Sequence, residues 1–77
     1  MTVYYCNVSQ GSGLSTDWTD SNLRRAIQQV RECVVAGYEN DEDGTVSVET
    51  VGPDGVTVNV PVYRCVNRGG RAVKVNV

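Results

Sequence analysis

Valine recurs at alternate positions through much of the C-terminal half of the chain. Eleven of the sixteen valines fall within residues 46–77. The branched valine side chain favours strands, and alternate residues of a strand point to the same face of a sheet. The pattern predicts strands at 45–51, 56–66 and 71–77, which together form one face that is mostly valine. A sheet with one apolar face needs a cover on that side only.

Two short connections set the register of these strands. The Gly52-Pro53-Asp54-Gly55 segment suits a type I turn followed by a left-handed glycine. Counting back from that turn, we expect three cross-strand pairs: Thr50 with Val58, Val48 with Val60, and Val46 with Val62. The Asn67–Gly70 connection is a loop with an even number of residues, which places Val66 opposite Val73 or Arg71. Pro61 cannot donate a ladder hydrogen bond, so we expect a bend or bulge there.

The predicted register divides the side chains between two faces of the sheet. Val62 and Val66 fall on the valine face together with Val73. The opposite face carries mostly polar residues: Ser47, Glu49, Thr57, Asn59, Tyr63, Lys74 and Asn76. We therefore expect Tyr63 to be exposed on the uncovered side.

One amphipathic helix provides the cover for the valine face. Its apolar residues follow the i, i+3, i+4, i+7 spacing: Leu23, Ala26, Ile27, Val30, Cys33 and Val34. Asp17 or Thr19 can cap its start, and Gly37 followed by Tyr38 can end it in a left-handed conformation. Trp18 comes just before the helix, and we expect it to close one end of the core.

The remaining segments complete a predicted fold of class α/β (α+β). Residues 2–8 favour a first strand and residues 9–17 a loop. A first strand followed directly by a right-handed crossover helix must run parallel to its neighbour, which is either the second or the fourth strand. We expect a single domain over residues 1–77 with two layers in the order β-α-β-β-β. One helix lies on one face of a four-stranded mixed sheet.

Length and composition exclude several classes of function. A chain of 77 residues has one thin core, so a deep pocket for a small-molecule substrate is not expected. Three cysteines and no histidine support neither a disulfide framework nor a zinc site. No apolar run approaches the roughly 18 residues of a membrane span, and no signal peptide is visible after Met1. We expect a cytoplasmic protein with no membrane partner.

No catalytic or cofactor-binding arrangement is visible. Without histidine, neither a Ser–His nor a Cys–His pair can form, so we expect no enzymatic activity, no cofactor and no metal. The Glu39-x-Asp41-x-Asp43-Gly44 pattern is similar to the opening of a calcium loop, but Thr50 stands where the closing Glu belongs. The alternative is a solvated loop that ends in an Asp-Gly turn. Residues 11–16 lie where phosphates often bind but lack the lysine of a phosphate loop.

Acidic and basic side chains occupy separate parts of the sequence. Residues 39–54 hold six of the nine acids and no base: Glu39, Asp41, Glu42, Asp43, Glu49 and Asp54. Residues 56–77 hold no acid and four bases: Arg64, Arg68, Arg71 and Lys74. The net charge of −2 therefore describes a dipolar domain. We assign partner binding to the acidic residues together with Tyr63, and a nucleic-acid or mixed interface to the four bases.

In its size, acidity and strand–helix–hairpin order, the chain resembles the anti-CRISPR class, the small phage-encoded inhibitors of bacterial immunity. The resemblance implies a non-enzymatic cytoplasmic protein. Such a protein binds a larger protein or protein–nucleic-acid complex and blocks its nucleic-acid-binding surface. Two alternatives stay open. One is a small nucleic-acid-binding module that uses the basic hairpin. The other is a structural subunit that forms homo-oligomers through its sheet edges.

Overall fold

In the computed structural model, which describes residues 2–36 and 41–77, one helix lies on one face of an antiparallel sheet. The elements are β1 (Tyr4–Ser9), β2 (Ser15–Asp20), α1 (Leu23–Ala36), β3 (Asp43–Val51), β4 (Thr57–Arg68) and β5 (Arg71–Lys74). The five strands lie in the order β2-β1-β3-β4-β5. The predicted two-layer α+β architecture is confirmed. The predicted four-stranded mixed sheet is wrong, because there is a fifth strand and every described pairing is antiparallel.

The additional strand is β2, which overlaps the segment predicted to be a loop. The chain reverses after β1 through a short turn in which the Gln10 N–H donates to the Leu14 carbonyl at 2.8 Å. Gly13 has a φ of 95° in that turn, a conformation that glycine adopts without strain. The helix then crosses from β2 to β3, and both of these strands flank β1. Strand β1 therefore has antiparallel neighbours, and its predicted parallel pairing is wrong.

The helix begins with a different cap from the one predicted. The Arg25 backbone N–H donates to the Asn22 side-chain oxygen at 2.9 Å, so Asn22 is the N-cap. Asp17 and Thr19 lie in β2 and cannot have this role. The predicted end of the helix at Gly37 and Tyr38 lies outside the described residues. Among the described residues, no helix combines the length and the apolar character needed to cross a membrane.

The core lies between α1 and the three central strands. Its buried residues are Cys6, Val8, Ala26, Val30, Val34, Val46, Tyr63 and Cys65. Gly44 marks the closest approach of the helix, because a Cβ at this position would lie 2.5 Å from Val30 Cγ1. Gly44 is thus a packing position inside β3, and the predicted Asp-Gly turn is wrong. Trp18 packs against the core from within β2, and its indole N–H donates to Gln29 Oε1 at 2.8 Å.

The turn between β3 and β4 has the predicted geometry. The Gly52 N–H donates to the Val56 carbonyl at 2.9 Å, and Gly55 is left-handed with a φ of 79°. Two of the predicted cross-strand pairs are confirmed, Thr50 with Val58 and Val48 with Val60. The predicted pairing of Val66 with Val73 through an even loop is also confirmed.

A bulge beside Pro61 changes the face of every later residue in β4. Ser47 pairs with Pro61, whereas its neighbour Val46 pairs with Tyr63, so Val62 is the extra residue. The bulge was predicted, but its effect on the two faces was not. Tyr63 turns into the core, and the prediction that it lies on the uncovered face is wrong. The pairing of Val46 with Val62, and the placement of Val66 and Val73 beneath the helix, are wrong for the same reason.

Candidate functional site

The candidate site is the face of the sheet opposite α1, which we call the open face. Cross-strand pairing aligns Tyr5 with Thr19 and Ser47, and Asn7 with Asp17 and Thr45, along this face. Cys6, between Tyr5 and Asn7, is buried beneath the helix, so the alternation of the strand directs its neighbours outward. The open face is therefore built mainly from the polar positions of β1, β2 and β3.

The centre of the open face forms a depression of about 500 Å³. Residues from four strands line it: Tyr5, Cys6, Asn7, Asp17, Trp18, Thr19, Ser47 and Asn59. The depression is open because the side chains of Ser47 and Thr19 are small, and Tyr5 and Asn59 also line it. The lining offers hydroxyl, amide and carboxylate groups, which suits polar contacts with another macromolecule.

Two carboxylates beside this depression are held in place by neighbouring side chains. The Tyr5 hydroxyl donates to Glu49 Oε2 at 2.8 Å, and the Asn7 side-chain amide donates to Asp17 Oδ1. The hydrogen bond to Glu49, and then the negative charge of Glu49, raise the pKa of Tyr5. Each carboxylate has about four lone-pair sites, so each can accept further hydrogen bonds from a partner.

The predicted acidic residues do not form one surface. Glu49 lies at the open face, whereas Asp54 lies in the β3–β4 turn, where it accepts a hydrogen bond from the Val56 N–H. Asp43 forms an ion pair with Arg64. The Asp41 carboxylate lies directly against Gly11, in the turn between β1 and β2.

Glu42 is buried, and its predicted place in a solvated partner-binding loop is wrong. Its exposed fraction is 1%, and its backbone carbonyl accepts a hydrogen bond from the Asn67 N–H at 2.9 Å. Glu39 lies outside the described residues. Within residues 2–36 and 41–77, no three potential ligand side chains come close enough together to hold a metal ion.

The predicted basic residues are divided between the two sides of the sheet. Arg64 and its partner Asp43 lie on the open face, where the two charges neutralise each other. Arg68 and Arg71 are directly opposite each other at the β4–β5 turn, on the same face as Arg64. Lys74 pairs with the buried Cys65, so it lies on the helix side of the sheet. The basic zone of the open face is therefore reduced to one cross-strand arginine pair.

Three residues of the site were missed by the sequence-based interpretation. Tyr5 and Asn7 alternate with buried residues in β1, and this alternation was a usable signal for a strand with one exposed face. Asp17 was missed because its segment was assigned to a loop. Tyr63 was included, but its hydroxyl is occupied inside the fold, where it accepts a hydrogen bond from Arg31 Nη1 at 2.7 Å.

The cysteines do not add a nucleophile to the site. Cys6 and Cys65 are buried and Cys33 is half-buried, and all three are free thiols. Burial is the main cause that raises the pKa of each thiol. A raised pKa leaves less of the reactive thiolate at neutral pH. What the arrangement can do chemically is therefore to donate and accept hydrogen bonds and to present charge.

Comparison of the chain with protein-family models, with curated proteins and with solved structures found no match.

Proposed function

We propose that this chain is a non-enzymatic inhibitor of the anti-CRISPR type. In this proposal, the open face binds a larger bacterial protein and blocks the surface that this protein uses for nucleic acid. The observation that carries the proposal is the pair of ordered carboxylates, Asp17 and Glu49, on a polar sheet face that α1 leaves uncovered.

The spacing of the two carboxylates favours recognition over catalysis. Asp17 and Glu49 lie two strands apart, and Glu49 is four positions along β3 from Thr45, which shares a row with Asp17. Standard strand dimensions then place their Cα atoms roughly 16 Å apart. Carboxyl groups that work together in hydrolysis lie about 5–9.5 Å apart, whereas Glu49 and Asp17 are each hydrogen-bonded to a different residue of β1, Tyr5 and Asn7. The separation suits two independent contacts on a broad surface.

Ordered carboxylates are suited to compete with phosphates. A groove that binds nucleic acid presents Arg and Lys side chains, which carboxylates can engage in charge-assisted hydrogen bonds. Tyr5 and Asn7 already hold the two acids in place, so less side-chain freedom is lost on binding. The acids also attract a basic partner over a distance, which raises the association rate at low salt.

The proposal is tested by capturing a partner on the immobilised protein from a bacterial lysate at low and high salt. Asp17→Lys/Glu49→Lys reverses the charge of the open face. Glu32→Lys makes the same type of change on α1, where Glu32 is exposed on the other side of the molecule. We expect the double variant to lose at least nine-tenths of the capture, and the Glu32 variant to retain it. Circular dichroism checks that both variants are folded.

The captured protein is then tested for nucleic-acid binding in a gel-shift assay. We expect the wild-type chain to abolish the shift and the Asp17→Lys/Glu49→Lys variant to leave it intact. Equal capture by the wild type and the double variant would remove the open face from the proposal. A captured protein that binds nucleic acid equally well with and without the chain would contradict inhibition.

A second candidate function, direct nucleic-acid binding, is favoured by the Arg68–Arg71 pair. Like charges directly opposite each other destabilise a hairpin. Neither arginine forms an ion pair with a carboxylate of the described residues. A bound phosphate would relieve the repulsion. This function predicts a gel shift with nucleic acid alone, lost in Arg68→Glu/Arg71→Glu. Two phosphate contacts also predict a shallow salt dependence, with a slope of about −2 in log K against log salt.

A further inference from the structure

Strands β3 and β4 extend well beyond the part of the sheet that the helix covers. At about 3.3 Å per residue, the 12 residues of β4 span about 40 Å, close to the 41 Å longest dimension of the molecule. Strand β1 accompanies β3 only as far as Val48. We call the remaining hairpin, residues 49–60, the arm. Val58 and Val60 on the arm are 48% and 42% exposed, unlike the buried Tyr63 and Cys65 farther along β4.

Within the described part of the chain, no strand pairs with the outer edge of β4 along the arm. Strand β5 pairs only with Cys65–Arg68, and Val75 adds one hydrogen bond to the Arg64 carbonyl. The Gly52 N–H donates to the Val56 carbonyl, so these two residues form a hydrogen-bonded pair. Because such pairs alternate along an antiparallel ladder, Val58 and Val60 also direct their backbone groups toward β3. The backbone groups of Thr57, Asn59 and Pro61 therefore face away from β3, where no described strand pairs with them.

This edge differs from the two outer edges of the sheet in its charge. Strand β2 carries Asp17 and Asp20, and β5 carries Arg71 and Lys74. Two copies that met through either of these edges would bring like charges together. Residues 57–61 of β4 contain no ionisable side chain. An exposed, uncharged strand edge with valine side chains pairs readily with another strand.

We infer that the arm is a self-association site, in which two copies pair the free edges of β4 antiparallel about a two-fold axis. Two antiparallel copies of the edge can be aligned on Asn59, so that residues at equal distances from Asn59 lie opposite each other. Asn59 of each copy exchanges backbone hydrogen bonds with Asn59 of the other copy. The Thr57 N–H of each copy donates to the Pro61 carbonyl of the other. Pro61 has no N–H, so the Thr57 carbonyl of each copy receives no hydrogen bond from the Pro61 of the other, and the ladder between the copies ends at this pair.

The same arrangement brings valine side chains together. With Asn59 on the axis, Val58 of one copy lies opposite Val60 of the other, on the same face of the joined sheet. Only the two arms meet, so the interface is smaller than the roughly 1,200–2,000 Å² of stable complexes. The dimer is therefore weak and depends on concentration. The inference does not rest on the proposed function, because it uses the backbone edge of residues 57–61 and not the carboxylates of Asp17 and Glu49.

Sedimentation velocity over a wide concentration range tests the inference. We expect a mass of 8.4 kDa at low concentration that rises toward twice this value. Asn59→Pro removes one edge N–H that β3 does not use, and Val60→Lys adds a charge beside the edge. Both variants should stay monomeric. Val51→Lys places the same charge on the β3 side of the arm, where Val51 is exposed, and should associate like the wild type.

Three results would overturn the inference. A wild-type chain that remains monomeric at the highest concentration excludes the second copy as the occupant of the edge. An Asn59→Pro variant that associates as well as the wild type excludes backbone pairing through β4. A Val51→Lys variant that is as monomeric as Val60→Lys shows that charge anywhere on the arm prevents association. Circular dichroism of each variant confirms that the sheet is intact.

Discussion

Gly44→Ala measures how closely α1 lies against the sheet. An added Cβ would lie 2.5 Å from Val30 Cγ1 and 2.7 Å from Val34 Cγ2. Relaxed carbon–carbon contacts are about 3.5–4.0 Å, so the helix must move outward or the valines must leave their rotamers. Overpacking of this kind destabilises by about 1–3 kcal/mol. Alanine in a strand regains about 0.5–1 kcal/mol relative to glycine. We expect a net loss of about 1–2 kcal/mol in the free energy of unfolding.

Urea unfolding followed by the fluorescence of Trp18, the only tryptophan, provides the measurement. For a domain of this size, each kcal/mol also corresponds to about 4–8 °C in Tm. Val30→Ala is the matched background, because it removes the closest of the two clashing methyl groups. In that background, the loss caused by Gly44→Ala should fall by at least about 0.5 kcal/mol. An alanine variant as stable as the wild type, or an equal loss in both backgrounds, would refute the close packing of α1 on β3.

Three further predictions follow from particular contacts. Asn67→Ala should destabilise by about 1–3 kcal/mol, since the buried amide donates to the Val34 carbonyl near the end of α1; an unchanged urea midpoint would contradict this. Asn22→Ala removes the helix cap and should lose about 1 kcal/mol, with lower helix content on heating, and equal melting curves would contradict it. Glu49→Gln should lower the pKa of Tyr5 in an alkaline ultraviolet titration, because the hydrogen bond to Glu49 and its charge raise that pKa. Because the folded-state pKa of Tyr5 is raised, its interaction with Glu49 stabilises the fold at pH values below the unfolded-state pKa of Tyr5, and this stabilisation is lost as the pH rises through the folded-state pKa. Identical titration curves for the wild type and Glu49→Gln would contradict the prediction.

The local signals of the sequence account for the elements that were predicted correctly. The valine alternation in 46–60 and the turn at Gly52–Gly55 are short-range features, and the register between them is confirmed. The apolar stripe of α1 is also read directly from its spacing. Strand β2 was missed because its sequence, STDWTD, has one apolar residue and two aspartates, a type that is depleted in strands. Its conformation depends on pairing with β1 across the turn at residues 10–14, a contact that the composition of β2 does not indicate.

The faces of β4 could not be predicted beyond Pro61. The proline indicates a bulge, but the position of the extra residue depends on how β3 and β4 fit together. A shift of one residue reverses every later side chain, which is why Tyr63 was assigned to the wrong face. The contacts between charged side chains could not be predicted for a related reason. Asp43 meets Arg64 across the sheet, and no local pattern indicates this contact.

In the proposed function, the open face, and not the helix side, meets a protein partner. Hydroxyl-radical footprinting of the complex with the captured protein tests this claim directly, because it reports the exposure of individual side chains. Tyr5 reports on the open face, while Leu23 and Val35 are exposed side chains of α1. We expect Tyr5 to be protected in the complex while Leu23 and Val35 react as in the free protein. Protection of Leu23 and Val35 with unchanged labelling of Tyr5 would contradict it.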